Sequence, residues 1–155
     1  MLPPKSSNQS TIEPSRRRTA ARALRIGGIL LWIAAAIHFF ALPFLRRSVA
    51  PSLTPEAYQF VWPILAFAFL LDGVLLLPLG FTAIYCAVGI ERGERWAAVL
   101  GLVCALTVLI LPVLLLAVMG LHYFSAKPFL IATVIVAAAG LSMTIPLLRL
   151  RLGKT

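Results

Sequence analysis

The chain alternates between four long apolar stretches and short polar segments. The apolar stretches cover about residues 26–45, 60–88, 96–121 and 128–148. Each supplies the roughly 20 residues that a helix needs to cross a ~30 Å hydrocarbon core. Because the connections are short, consecutive helices should run antiparallel. The pattern therefore predicts an all-α protein, a four-helix transmembrane bundle with antiparallel up-down topology that occupies residues 26–149.

The polar segments carry residues that begin and end helices. In Thr54-Pro55-Glu56 a capping hydroxyl precedes a proline and an acid, so the second helix is expected to begin near Pro55. The charged segment from Gly89 to Arg95 predicts a tight turn between helices two and three.

The two ends of the chain differ from this membrane domain. Residues 1–25 are polar and basic, which predicts a disordered cytoplasmic tail, and residues 150–155 predict a second, short tail. Five basic residues of the first tail are candidate contacts for anionic lipid headgroups. They are Arg16, Arg17, Arg18, Arg22 and Arg25.

Composition and charge also favour a membrane protein. The chain is 61% hydrophobic and 12% charged, whereas globular domains have roughly 45–50% apolar and about 25% charged residues. With the N-terminus inside, all of the 14 basic residues except Arg46, Arg47 and Lys127 lie on the inner side. The predicted topology, with both termini inside, accounts for the net charge of +9. No nucleic-acid partner is expected.

Two ionisable residues lie well inside the apolar stretches, where such groups are costly. His38 lies on a stripe of the first helix that has small residues one turn above and below it, so it should face the bundle. Asp72 lies near the middle of the second helix, at a depth close to that of His38. We expect a buried polar pair, with two roles open: a static bond that fixes helix register, and a ligand or proton site.

Other polar residues form weaker candidates. Gln59, His122 and Tyr123 lie near the outer ends of the helices and are candidates for a polar outer mouth. His122 combined with His38 is also a bis-histidine haem arrangement. Cys86 and Cys104 lack metal-ligand or redox spacing and are interpreted as small buried hydrophobic residues. No resident metal or cofactor is expected.

The sequence lacks a Walker loop and the GxSxG, HExxH and dinucleotide-binding glycine patterns. The predicted function is therefore non-enzymatic: a small accessory or interaction protein that binds lipid, another membrane protein or a second copy of itself. Two alternatives remain. One is a proton-coupled transporter that uses Asp72 with His38, and the other is a redox subunit that binds haem or quinone.

The four-helix arrangement and the Gly-Glu-Arg-Trp turn at residues 93–96 are broadly similar to those of small bacterial four-helix inner-membrane proteins of the DoxX type. This resemblance implies a multi-pass protein of the bacterial inner (plasma) membrane. It implies no functional residue.

Overall fold

The computed structural model describes residues 7–120 and 127–152, which form four long α helices. Helix α1 covers Ser7–Val49, α2 covers Pro55–Glu91, α3 covers Arg95–Met119 and α4 covers Lys127–Leu152. A short 3-10 helix at Ala50–Ser52 follows α1. Each long helix has the length and apolar composition needed to cross a membrane. The prediction of an all-α four-helix membrane bundle is confirmed.

The helices form a ring in chain order. Helix α1 packs mainly against α2 and α4, and α3 packs against the same two helices. The turn at residues 92–94 lies at the same end of the ring as the start of α1 and the end of α4. We call the part of the bundle nearer this end the terminal half. The part nearer residues 50–54 is the opposite half.

The helix boundaries at the two connections agree with the local sequence signals. The backbone N–H of Ala57 donates a hydrogen bond to the Thr54 hydroxyl oxygen at 3.3 Å, and Pro55 is the first residue of α2. Between α2 and α3, Gly93 has a φ of 80°, a conformation that glycine adopts without steric cost. The predicted start of the second helix and the predicted tight turn are both confirmed.

In the structure α1 begins at Ser7, inside the segment predicted to be a disordered tail. Ala20, Ala21 and Leu24 are fully buried. These three residues lie on one face of the helix, between the arginines, so the basic segment continues the core-facing side of α1. At the other end, α4 continues to Leu152 and Leu150 is buried, so the predicted tail at 150–155 is also helical at its start.

Two separate hydrophobic cores hold the helices together. The main core fills the terminal half and takes residues from all four helices. Its largest fully buried side chains are Leu24, Leu31, Cys86, Val108, Met143 and Leu147. The second core lies in the opposite half and is built on Ala41, Leu45 and Phe69, with Trp62 and Phe129 packed against them. Its described members come from α1, α2 and α4, and α3 is not among them.

Helices α1 and α2 cross closely at a pair of glycines. A Cβ atom at Gly28 would lie 2.7 Å from the carbonyl oxygen of Gly80, and a Cβ at Gly80 would lie 2.9 Å from the oxygen of Gly28. Beside this crossing, the Trp32 Nε1–H donates to the carbonyl oxygen of Leu77 at 3.3 Å. Small residues allow membrane helices to approach this closely. The glycine pair therefore fixes how α1 lies against α2.

Candidate ligand-binding cavity

A cavity of about 330 Å³ lies in the opposite half of the bundle. This volume is at the lower end of the range typical of small-molecule sites, roughly 300–1,000 Å³. All four helices line it. The lining residues are Ile37, His38 and Ala41 of α1; Phe69, Asp72, Leu75 and Leu76 of α2; Leu111, Pro112, Leu114, Leu115 and Val118 of α3; and Phe129, Ala132, Thr133 and Val136 of α4.

The cavity borders both hydrophobic cores and has exposed lining on one side. Its lining includes Leu76 and Val136 of the main core, and Ala41 and Phe69 of the second core. It therefore lies between the two cores.

The side opening is explained by the helix α3. From Leu109 to Val118, no residue of this helix is buried. The exposed lining residues lie on α2 and α3, for example Leu75 at 53%, Leu114 at 53% and Val118 at 78% exposure. The cavity thus opens between α2 and α3, on the side that faces the bilayer in a spanning bundle.

Asp72 lies at the mouth of this cavity. It is close to the midpoint of α2 and its side chain is exposed. Within residues 7–120 and 127–152, no hydrogen bond or ion pair reaches its carboxylate. A charged side chain near the centre of a membrane is costly unless something compensates the charge. Asp72 is therefore a carboxylate placed in an apolar site without a resident partner among the described residues.

His38 lies on α1 and is half-buried. Its Nδ1–H donates to the backbone oxygen of Ala34 at 2.9 Å, because a carbonyl oxygen can only accept. In the neutral ring this leaves Nε2 as a hydrogen-bond acceptor. The ring also packs on Phe69, with centroids 4.8 Å apart. Its Cβ lies 3.0 Å from the point that a Cβ of Gly73 would occupy, so α1 and α2 touch beside Asp72.

His38 and Asp72 therefore line one cavity, as their matched depths suggested. They are close enough to interact electrostatically. The structure has no hydrogen bond between the two described side chains. The static role of the pair stays a prediction. The ligand or proton role also stays a prediction.

Of the three candidates for the polar outer mouth, Gln59 is the one that the structure describes. Gln59 is exposed near the start of α2 and does not line the cavity. His122 and Tyr123 lie outside the described residues. The bis-histidine arrangement of His38 with His122 therefore also stays a prediction.

The candidate lipid-headgroup arginines have different surroundings. The guanidinium of Arg25 forms an ion pair with the Glu91 carboxylate at 2.7 Å, across from α1 to the end of α2. Because both side chains are partly exposed, this pair contributes at most about 1 kcal/mol. Arg17 lies against Gly93 in the turn. Four of the five are exposed along α1, namely Arg16, Arg18, Arg22 and Arg25, and Arg17 is partly buried. All five stay predicted headgroup contacts.

Sequence reasoning identified His38 and Asp72 and missed the other lining side chains, Phe69 and Thr133 among them. Phe69 precedes Asp72 by three residues, a spacing that places both on one helix face and was a usable signal. Thr133 lines the wall of α4, and its hydroxyl donates to the Phe129 carbonyl oxygen at 2.8 Å. Nothing in the sequence distinguishes Thr133 from other intramembrane hydroxyls. Cys86 and Cys104 are buried free thiols, as expected.

Comparison with known proteins found no relative: no family model, curated protein or solved structure matches the chain. The class of protein is therefore assigned from the fold alone. Four spanning helices with short connections make this a small, multi-pass integral membrane protein.

Proposed function

We propose that this protein is a non-enzymatic membrane protein that binds an amphipathic, membrane-soluble molecule in the cavity. The observation that carries the proposal is the position of the opening. The cavity lies between the two cores, and its exposed lining residues are on α2 and α3. A molecule that enters by this side first dissolves in the bilayer, as a lipid or another amphiphile does.

The lining has an apolar wall and a few polar side chains, which match the apolar and polar parts of an amphipathic molecule. Most of the wall is apolar and accommodates a hydrocarbon or ring system. The polar side chains in the described lining are His38, Asp72 and Thr133. A few polar groups in an apolar pocket orient a ligand and give specificity. Because the Thr133 hydroxyl is bonded to its own helix, this set supports binding better than nucleophilic chemistry.

A substitution that fills the cavity tests the proposal. Ala132 is buried and lines the cavity wall on α4, so Ala132→Phe places a ring in the ligand volume. Ala138→Phe is the matched control, because Ala138 is on the same helix and exposed. Native mass spectrometry of protein extracted from its membrane measures bound amphiphile. We expect the bound mass to be retained by the wild type and the control, and lost or strongly reduced in Ala132→Phe.

The opposite result is equally clear. If all three proteins carry the same adducts at the same occupancy, the molecules are bound to the outer surface, and the cavity is not the site. Thermal unfolding of each variant checks that the loss of ligand does not reflect loss of the fold.

A second candidate function is proton-coupled transport, with Asp72 as the group that exchanges a proton for the substrate. Two observations favour it: the Asp72 carboxylate has no partner among the described residues, and the main core closes one end of the bundle while a cavity is present in the other half. Closure at one end is the arrangement expected of one state of an alternating-access carrier.

Transport is tested in proteoliposomes with a proton gradient and a lipophilic cation as substrate. We expect proton-driven uptake by the wild type and none by Asp72→Asn, with Glu56→Gln as the control, because Glu56 is exposed at the start of α2. A wild-type protein that binds the cation but does not move it would exclude transport and leave binding as the function.

A further inference from the structure

We infer that the cavity selects molecules whose polar end carries a positive charge, and that Asp72 holds this charge. The inference rests on the proposed function, because it names the chemical class of the molecule bound at the same site. It predicts a lipophilic monovalent cation rather than a neutral or anionic lipid.

The first argument is the charge balance of the cavity. Its described lining contains two titratable side chains, His38 from α1 and Asp72 from α2, and the lining from α3 and α4 contributes none. The Nδ1–H of His38 is already committed to the Ala34 carbonyl, and a neutral ring has no second proton to donate. A neutral His38 does not neutralise Asp72, and the described residues contain no ion pair between the two side chains. With His38 neutral, an ionised Asp72 therefore gives the described lining one negative charge.

The second argument is the strength of the contact that a cation would make. A carboxylate attracts a cation more strongly in a low-dielectric cavity than in water, because solvent screening is weak there. An anionic ligand would be repelled by the same group, and a neutral one would leave its charge unpaired.

The aromatic walls add to this preference. Phe69 and Phe129 both line the cavity, and their rings form an edge-to-face pair with centroids 5.6 Å apart. The face of an aromatic ring carries partial negative charge and attracts cations within about 6 Å of its centroid. A cation held at Asp72 thus has aromatic surface from α2 and α4 in the same cavity.

A pair of probes that differ only in charge tests the inference. One is methyltriphenylphosphonium, and the other is its neutral isostere, in which carbon replaces phosphorus. Binding is measured by equilibrium dialysis with the protein in lipid nanodiscs, after subtracting the binding to empty nanodiscs. We expect Asp72→Asn to weaken cation binding by about tenfold or more. Asp72→Asn should leave the isostere nearly unaffected, and the exposed Glu56→Gln control should match the wild type for both probes.

The dependence on pH gives an independent readout. Protons and the cation compete for the same carboxylate, so cation affinity should fall as the pH is lowered, and the affinity of the isostere should not follow it. Asp72→Glu, which keeps the carboxylate, should retain the preference for the cation. This variant separates the role of the charge from the effect of any change at position 72.

The outcomes separate the inference from the function on which it rests. If both probes bind the wild type equally and Asp72→Asn changes neither, the charge preference is wrong and the binding function stands. If neither probe binds the wild type, the charge preference is wrong, and the comparison of bound amphiphile in Ala132→Phe decides the binding function. If Ala132→Phe leaves the binding of both probes unchanged, the cavity is not a ligand site and both proposals are wrong.

Discussion

Replacing Asp72 with leucine is expected to raise the free energy of unfolding by about 1–3 kcal/mol. The carboxylate lies at the middle of α2 and has no hydrogen-bond or ion-pair partner in the described part of the chain. On insertion scales an aspartate at the centre of a membrane helix is roughly 3 kcal/mol less favourable than leucine. Local bilayer thinning and water defects compensate part of this cost in a membrane, so the gain should be smaller than this limit. Reversible unfolding in a fixed detergent or bicelle composition measures the change.

The control is Asp72→Asn, which removes the charge and keeps a polar side chain of nearly the same shape. It should give a smaller increase than leucine. The combination of Asp72→Leu with His38→Ala decides whether the two residues form a structural pair. If Asp72→Leu instead lowers stability, and the double variant loses less than the sum of the single losses, the pair is a static one and the ligand role is wrong.

A gain in stability on removal of a polar group also has functional meaning. Residues that cost stability in the empty protein are common at binding sites, where a ligand provides the missing partner. The expected increase for Asp72→Leu should therefore accompany loss of the cation preference. Unfolding and probe binding both report on Asp72 but measure different quantities. One prediction can therefore be wrong while the other is confirmed.

The sequence predicts the four spanning helices because the bilayer restricts what can cross it. Every backbone polar group in the hydrocarbon must be paired within the segment, so a long apolar stretch has few alternatives to a helix. The start of α2 is equally predictable, since Thr54 and Pro55 act locally on the first helical turn. These are features that depend on near neighbours in the chain.

The early start of α1 was harder to predict because its signal is a stripe of apolar residues on one helix face. The average composition of the segment does not show this stripe. Ala20, Ala21 and Leu24 form a buried stripe, but the arginines around them give the segment the composition of a solvated tail. A helical projection of residues 14–25 contains the stripe. A composition average over the same residues does not.

The cavity itself was not predictable from the sequence. Its opening exists because α3 buries no side chain from Leu109 to Val118. In a soluble protein, a change from buried to exposed positions usually appears as a change from apolar to polar residues. In a membrane, the side chains that face lipid and those that face other helices are both apolar, so hydropathy does not distinguish them. His38 and Asp72 were identified because they are polar, whereas the apolar walls around them were not.

The substitution Gly28→Ala is expected to lower the free energy of unfolding by about 1–3 kcal/mol. The new methyl group would lie 2.7 Å from the backbone oxygen of Gly80 and 2.8 Å from a side-chain carbon of Ile84. The side chain of Ile84 can rotate away, but the backbone oxygen moves only if α1 and α2 separate. The glycine crossing belongs to the interface between α1 and α2, and both helices line the cavity. Ligand binding should therefore weaken as well. Reversible unfolding and the phosphonium binding assay measure the two effects.

Gly101→Ala is the matched control for this prediction. A Cβ there would lie at ordinary contact distances of 3.4–3.6 Å from Leu24 and Cys86. The alanine should fit and add the roughly 0.5–1 kcal/mol by which alanine exceeds glycine inside a helix. Equal stability of the Gly28 and Gly101 variants would contradict the close crossing. It would also contradict the helix register that places His38 against Gly73 and beside Asp72, because both contacts belong to the same packed interface between α1 and α2.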